Sequence, residues 1–228
     1  MAQMEQPIRH TGEQPLEEQR IYIYSRFERF WHWVQALFII VLLLTGFELH
    51  GTFVLFGYHT AFYIHNGTAW AWLILYAFII FWMLTTGEWR QYVPTFKKMV
   101  DVGVYYCSGI FRGEPHPVPK TARIKHNPLQ RLTYLGIVVV LVPFQIITGF
   151  LFYYYSDWGL WGFDWSLIVI AGLHIAGAFA MLAFLVVHIY MTTTGHSVFT
   201  HTKAMFTGWE TVADLRQHEW EKKEQPTH

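Results

Sequence analysis

Four long apolar runs separated by polar segments dominate the hydropathy pattern of this chain. Each run is about 20 residues long, which is the length that an α-helix needs to cross the hydrocarbon core of a bilayer. The runs predict transmembrane helices over residues 30–47, 67–86, 132–153 and 168–192. The predicted fold class is therefore an all-α membrane protein, a four-transmembrane-helix bundle made of two helical hairpins.

The polar segments give this bundle an orientation. Lys and Arg occur four times before the first run, eight times between the second and third, and four times after the fourth, which accounts for all sixteen. The two short loops carry none, so the positive-inside rule places both termini and the central loop in the cytoplasm. This layout predicts a flexible cytoplasmic tail, one four-helix domain with a long cytoplasmic loop, and a second cytoplasmic tail, over residues 1–20, 21–199 with the loop at 87–130, and 200–228.

Composition narrows the class of protein further. The chain is 53% hydrophobic and only 14% charged, as expected of a small membrane domain, and its zero formal net charge gives no electrostatic support for nucleic-acid binding. The single cysteine, Cys107, excludes an internal disulfide, a Cys-rich zinc site and an iron–sulfur cluster held by this chain alone.

Pro143 lies inside the third run, where we expect a kink and a neighbouring helix that satisfies the freed carbonyl.

Two histidines inside the fourth run are the strongest chemical signal. Ionisable side chains within a membrane span are costly, so a functional role is the default expectation. His174 and His188 are fourteen residues apart, just under four helical turns. Both rings therefore leave the same face of one helix, separated by about 21 Å along its axis.

Each of these histidines has a counterpart at matching depth on another helix. The triplet TGF recurs in the first and third runs and TTG at the ends of the second and fourth, so the two hairpins form a weak repeat. Measured from these marks, His65 matches His174 towards the outside, and His32 matches His188 towards the cytoplasm. Two imidazoles facing each other can hold one haem iron, so the pattern predicts two b-type haems stacked across the membrane.

Other interpretations of single residues stay open. A lone histidine at a helix end is commonly an interfacial or hydrogen-bonded residue, and His59 competes with His65 as a ligand. His196 is close enough to the inner layer to contact a haem propionate. Arg29, one turn before His32, suits a propionate partner and equally a positive anchor at the membrane surface.

The glycines of the TGF triplets also have two interpretations. Gly46 and Gly149 give room either for the approach of a flat macrocycle or for close packing of helices. The second interpretation is the commoner one for small residues in membrane helices.

The chain resembles the four-helix di-haem cytochrome b subunits of membrane oxidoreductases over about residues 20–210. The resemblance rests on RFWHW at 29–33, on His65 before the second helix, and on HIAGAFAMLAFLVVH at 174–188. That family includes the gamma subunit of formate dehydrogenase, the b-type cytochrome of nickel-iron hydrogenases and the cytochrome b subunit of thiosulfate reductase. The resemblance implies the same four ligands, with His32 and His188 on the inner haem iron and His65 and His174 on the outer one.

The resemblance also implies a quinone site. In this family a quinone binds on the cytoplasmic side near the inner haem, beside the segment that enters the third helix. The matching segment here is KHNPLQ, in which Asn127 and Gln130 resemble quinone-contacting residues. Amides can hydrogen-bond a quinone carbonyl without carrying charge. The competing interpretation is that Asn127 and Pro128 simply start a helix.

The expected function is transfer of electrons across the bacterial cytoplasmic (inner) membrane, between a periplasmic redox partner and the quinone pool (menaquinone or ubiquinone). The chain has no substrate-reducing site of its own, so a partner is implied. That partner is an iron–sulfur subunit with a molybdopterin or nickel-iron catalytic subunit, or a multihaem cytochrome c. Two alternatives remain open: a stand-alone transmembrane electron-transfer reductase, and a haem-free membrane anchor or transporter.

Overall fold

The structure, a computed structural model, describes residues 19–114, 117–118, 125–194 and 198–212. Three expectations fall outside these described residues. They concern residues 1–18 of the expected flexible tail at 1–20, the end of the chain after residue 212, and His196.

Four of its helical segments are long and apolar enough to cross a membrane, which confirms the prediction of four spanning helices. These spans are Arg26–Leu49 (α1), Tyr58–Thr86 (α2), Pro128–Tyr153 and Leu167–Thr192. Within the described residues the other elements are short. They include a strand Gln19–Tyr22 (β1), a helix Met99–Val104 (α3) in the central connection, a helix Trp158–Trp161 (α6) before the fourth span (α7), a helix Thr200–Thr207 (α8), and a strand Trp209–Val212 (β2). Short 3₁₀ or π turns lie at Glu88–Tyr92, Tyr105–Gly109, Ile110–Arg112 and Tyr155–Asp157.

The spans begin earlier than the apolar runs predict. α1 starts at Arg26, because Ser25 caps it with Glu28 in a reciprocal capping box. α2 starts at Tyr58, directly after Gly57 at a φ of 82°, although the apolar run begins only at residue 67. The first turns of α2 are aromatic and polar rather than aliphatic, so hydropathy alone does not detect them. His65 therefore lies inside α2 rather than before it.

The third span is continuous but not uniformly α-helical. It consists of Pro128–Gly136 (α4), a π-helical turn Ile137–Leu141, and Val142–Tyr153 (α5). In the π turn the N–H of Val142 donates to the carbonyl of Ile137. The next residue, Pro143, has no N–H, so the carbonyl of Val138 loses its partner. The hydroxyl of Tyr76 on α2 donates to that carbonyl at 2.8 Å, so a neighbouring helix does satisfy it, as predicted.

Packing follows two antiparallel hairpins. α1 packs chiefly on α2, and α5 chiefly on α7. A buried apolar cluster of Trp72, Val142 and Met181 joins them in the interior. Met181 is seven residues from both His174 and His188, so this cluster lies midway between the two histidine layers. It separates the two candidate sites.

A short antiparallel ribbon closes one end of the bundle, and it is not part of the predicted all-α fold. β1 pairs with β2, with Tyr22 opposite Trp209. The segment before the first span and the segment after the fourth therefore meet at one end of the molecule. Tyr22 and Trp209 also make an edge-to-face aromatic contact at 5.2 Å.

Candidate functional site

The outer histidine layer brings together the two residues that the sequence pairs there. His65 on α2 and His174 on α7 face each other with ring centroids 6.4 Å apart. The rival candidate His59 is exposed and lies against Tyr63, with ring centroids 5.2 Å apart. Of the two candidates on α2, it is therefore His65 that faces α7.

Each outer histidine is held by a threonine from the neighbouring helix of its own hairpin. The hydroxyl of Thr45 lies 3.0 Å from Nδ1 of His65, and the hydroxyl of Thr148 lies 3.1 Å from Nδ1 of His174. Both threonines are buried, Thr45 completely. These two residues belong to the TGF triplets, which the sequence reasoning used only to mark matching depths. The repeat therefore also supplies the polar support of the outer layer.

The glycines of the same triplets lie against the histidine rings. A Cβ at Gly46 would lie 3.3 Å from Cε1 of His65, and a Cβ at Gly149 would lie 3.1 Å from Cε1 of His174. Such distances are tighter than ordinary van der Waals contact. In this structure the two glycines give room to the imidazole rings of His65 and His174.

The inner layer has a similar ring separation in different surroundings. His32 on α1 and His188 on α7 have ring centroids 6.1 Å apart. Nδ1 of His32 is buried and has no hydrogen-bond partner among the described residues. Phe184 stacks on His188 at 5.5 Å and Trp33 meets His32 edge-on at 5.2 Å. This layer is therefore lined by aromatic rings.

Both separations fit a metal ion held between two imidazoles. Bonds of about 2 Å from a metal to each imidazole nitrogen place the centroids of two opposed rings about 6 Å apart. Within the described residues, no group of three or more His, Cys, Asp or Glu side chains converges. Each pair of histidines would be able to hold a haem iron, whereas a structural zinc site would need four protein ligands.

Arg29 lies near the inner layer but already has one structural contact. Its Nη1 donates to the carbonyl of Phe206 in α8, while its Nε is buried without a partner among the described residues. Trp33 makes a parallel contact, donating from Nε1 to the carbonyl of Met205 at 3.2 Å. Together the two side chains fasten α8 to the start of α1.

Asn127 and Gln130 form the cap of α4. The side chain of Asn127 accepts from the N–H of Gln130 at 2.8 Å, and the side chain of Gln130 accepts from the N–H of Asn127 at 3.1 Å. Nδ2 of Asn127 also donates to the hydroxyl of Tyr106 at 2.9 Å. These contacts form the capping box of α4, as the capping interpretation expects. Nε2 of Gln130 takes no part in this capping box.

A buried ion pair beside this cap escaped the sequence reasoning. Nζ of Lys125 lies 2.7 Å from Glu28 and 3.5 Å from Glu88, and the Lys125 side chain is only 9% exposed. Lys125 thereby ties the start of α4 to the start of α1 and to the end of α2. Burial, and secondarily the charge of Glu28, raises the pKa of nearby Tyr92 above its usual range. No local signal links Lys125 to Glu28, because 97 residues separate them.

Glu48 closes the outer loop in a comparable way. Its Oε1 accepts three backbone N–H groups, from Leu55, Phe56 and Gly57, at 2.8, 2.8 and 2.7 Å. This carboxylate therefore fixes the turn into α2.

Comparison with known proteins gives a consistent set of relatives. The prokaryotic cytochrome b561 family matches residues 23–208. A protein of Escherichia coli (strain K12) named as a cytochrome, YdhU, is 29% identical over 84% of this chain and 75% of its own length. Two further relatives are named as Ni/Fe-hydrogenase B-type cytochrome subunits. The one from Rhizobium leguminosarum bv. viciae is 28% identical over 79% of this chain and 83% of its own length. The one from Rhodobacter capsulatus is 27% identical over 75% of this chain and 72% of its own length. No solved structure matches the chain.

Proposed function

The chain belongs to the prokaryotic cytochrome b561 family, and from this we propose that it is a di-haem membrane subunit carrying electrons between an outer redox partner and quinone. The observation that carries the proposal is the presence of two opposed imidazole pairs, at 6.1 and 6.4 Å, that share one helix. When bound, b-type haem supplies the one-electron chemistry.

The four histidines have one role in this proposal. His32 and His188 ligate the inner haem iron, and His65 and His174 ligate the outer one. With two histidines holding each iron, the haems would carry electrons and would not bind oxygen or substrate. The buried apolar cluster around Trp72 lies between the two layers.

The inner end supplies the candidate quinone contacts. We assign the quinone to the cytoplasmic entry of the third span, beside Asn127 and Gln130. There Nε2 of Gln130, which donates no hydrogen bond to the described residues, can donate one to a quinone carbonyl. Arg29 is the candidate propionate partner, because its Nε has no partner among the described residues. The positive-inside distribution of Lys and Arg supports placing this end in the cytoplasm of a bacterial inner membrane.

The outer end meets the partner. Relatives named as Ni/Fe-hydrogenase B-type cytochrome subunits favour a nickel-iron catalytic subunit with its iron–sulfur subunit on the periplasmic face. An iron–sulfur subunit with a molybdopterin subunit, or a multihaem cytochrome c, would use the same outer haem. Reconstitution with each purified class of partner and a quinone analogue distinguishes them.

The first test is a dithionite-reduced minus oxidised spectrum of the purified full chain, with haem quantified per polypeptide. We expect two b-type haems. A value of zero would overturn the proposal in favour of a haem-free anchor or transporter. A value of one would mean that one of the two histidine pairs serves structure only.

A further inference from the structure

The two histidine layers differ in their hydrogen bonding, and the difference concerns two residues with no assigned role. We propose that Thr45 and Thr148 are positioning residues that fix the outer histidines in one tautomer and lower the midpoint potential of the outer haem. The inference rests on the proposed function, since it requires haem between His65 and His174.

The direction of the two hydrogen bonds follows from the geometry of the threonines. The hydroxyl of Thr45 lies 2.7 Å from the carbonyl of Val41, to which it donates its single proton. The same hydroxyl lies 3.0 Å from Nδ1 of His65, so it accepts there, and Nδ1 carries the proton. Nε2 of His65 is then the unprotonated nitrogen and is free to bind iron.

Thr148 repeats this arrangement on the other hairpin. Its hydroxyl donates to the carbonyl of Phe144 at 2.8 Å and accepts from Nδ1 of His174 at 3.1 Å. Thr45 is 0% and Thr148 4% exposed, so water does not compete for either hydroxyl. Both outer ligands are thus oriented in the same way by the same residue type.

The inner pair lacks this support within the described part of the chain. Nδ1 of His32 is buried without a hydrogen-bond partner, and the neighbours of His188 that the structure describes include the apolar ring of Phe184. Both layers therefore use histidines, but only in the outer layer do the described residues support the rings with threonine hydroxyls.

The chemical consequence acts on the iron through the imidazoles. An imidazole that donates from its second nitrogen is a stronger electron donor from the first. Stronger donation stabilises the oxidised, ferric state, and hydrogen bonding around axial ligands is one of the means by which a protein sets a haem potential. Loss of either threonine hydroxyl should therefore raise the potential of the outer haem alone.

The test is a spectroelectrochemical titration of the purified holoprotein with Thr45→Val, Thr148→Val and the double substitution. Valine keeps the shape of threonine and removes the hydroxyl. We expect the midpoint of the outer haem to rise in each single variant and further in the double variant, with the inner midpoint unchanged. His174→Ala and His188→Ala, each lacking one haem, assign the two components.

Matched variants separate the hydrogen bond to histidine from general effects. Thr45→Ser and Thr148→Ser keep a hydroxyl and should retain the wild-type potential. Thr85→Val removes a hydroxyl whose described hydrogen bonds go only to backbone carbonyls of its own helix, those of Phe81 and Trp82, and should leave both potentials unchanged.

The outcomes are distinct from those that test the function. An outer potential that stays unchanged in a protein with two haems, or an equal rise of both potentials, would overturn the role of the threonines and leave the di-haem function intact. Absence of haem from the wild-type chain would overturn the function itself. If valine abolishes outer haem binding, restoration by serine supports the positioning role, and loss in the serine variants too contradicts it.

Discussion

The outer and inner layers each bring two histidines together, in surroundings built by different parts of the chain. The outer pair is supported by residues of the spanning helices themselves, through the threonines and glycines of the two TGF triplets. The inner pair adjoins segments outside the spans, including α8, fastened by Arg29 and Trp33. Two histidine pairs with similar ring separations are therefore supported in different ways. The repeated TGF triplets support the outer pair, and contacts between residues far apart in the chain surround the inner pair.

This difference has a functional consequence. In the proposed function, the outer end, where the spanning helices themselves support the histidines, meets the redox partner. The inner end offers polar groups, such as those of Lys125, Gln130 and Arg29, at the place proposed for the exchange of electrons and protons with a quinone. Four sets of substitutions test whether the two ends are as independent as this comparison implies.

The largest expected effect comes from removing one ligand of each pair. His174→Ala should abolish the outer haem and retain the inner one, while His188→Ala should do the reverse, because each iron loses one of two protein ligands. Haem per polypeptide, with the reduced minus oxidised spectrum, checks both. Loss of both haems from either variant would show that the layers are not independent, and unchanged haem content would refute the ligand assignment.

Next in size is Lys125→Met, which should affect the inner end through stability. Removing one member of a buried pair leaves a charge without compensation, and we expect a loss of about 3 kcal/mol in the free energy of unfolding. Lys203, which is exposed, gives the matched control Lys203→Met. Thermal unfolding of the holoprotein in detergent measures both.

A second variant identifies the partner of Lys125. Adding Glu28→Gln should recover part of the lost stability, because Glu28 is the carboxylate left unpaired at 2.7 Å. No recovery in the double variant would point to Glu88 instead, which lies at 3.5 Å and is more exposed.

Gly149→Ala sharpens the comparison at the outer end. The new Cβ would lie 3.1 Å from Cε1 of His174, so the ring must move by a few tenths of an ångström. We expect reduced outer-haem content or a shifted outer spectrum, with the inner haem unchanged. The control is Gly172→Ala on α7, where the added Cβ would meet no neighbouring atom within 4 Å. This variant should raise the free energy of unfolding by up to about 1 kcal/mol through helix propensity and leave both haems intact. Equal effects of the two substitutions would refute the close contact with His174.

Much of the fold and of the pairing could be predicted from the sequence, because hydropathy encodes spans and a fixed rise per residue encodes depth. The fourteen-residue spacing of His174 and His188 and the basic residues between spans are local signals of this kind. The start of α2 at Tyr58 was not predictable from hydropathy, since its first turns are not aliphatic. The contact between Lys125 and Glu28 joins residues far apart in the chain, and only the packed bundle brings them together.

The smallest expected effect lies between the two ends, where Tyr76 satisfies the carbonyl that Pro143 leaves without an N–H. Tyr76→Phe should destabilise the bundle by about 1 kcal/mol, the usual net value of one buried hydrogen bond. Tyr190→Phe, on an exposed face of α7, is the control.

A double-mutant cycle separates this bond from general packing. Pro143→Ala introduces an N–H that can bond the Val138 carbonyl in the π register, so Tyr76→Phe should have almost no effect in that background. Both haem potentials should stay unchanged in all these variants, because the hydrogen bond from Tyr76 goes to the Val138 carbonyl and not to a histidine. An undiminished effect in the Pro143→Ala background would mean that Tyr76 acts through packing, and a shift of either potential would mean that the two layers communicate through this region.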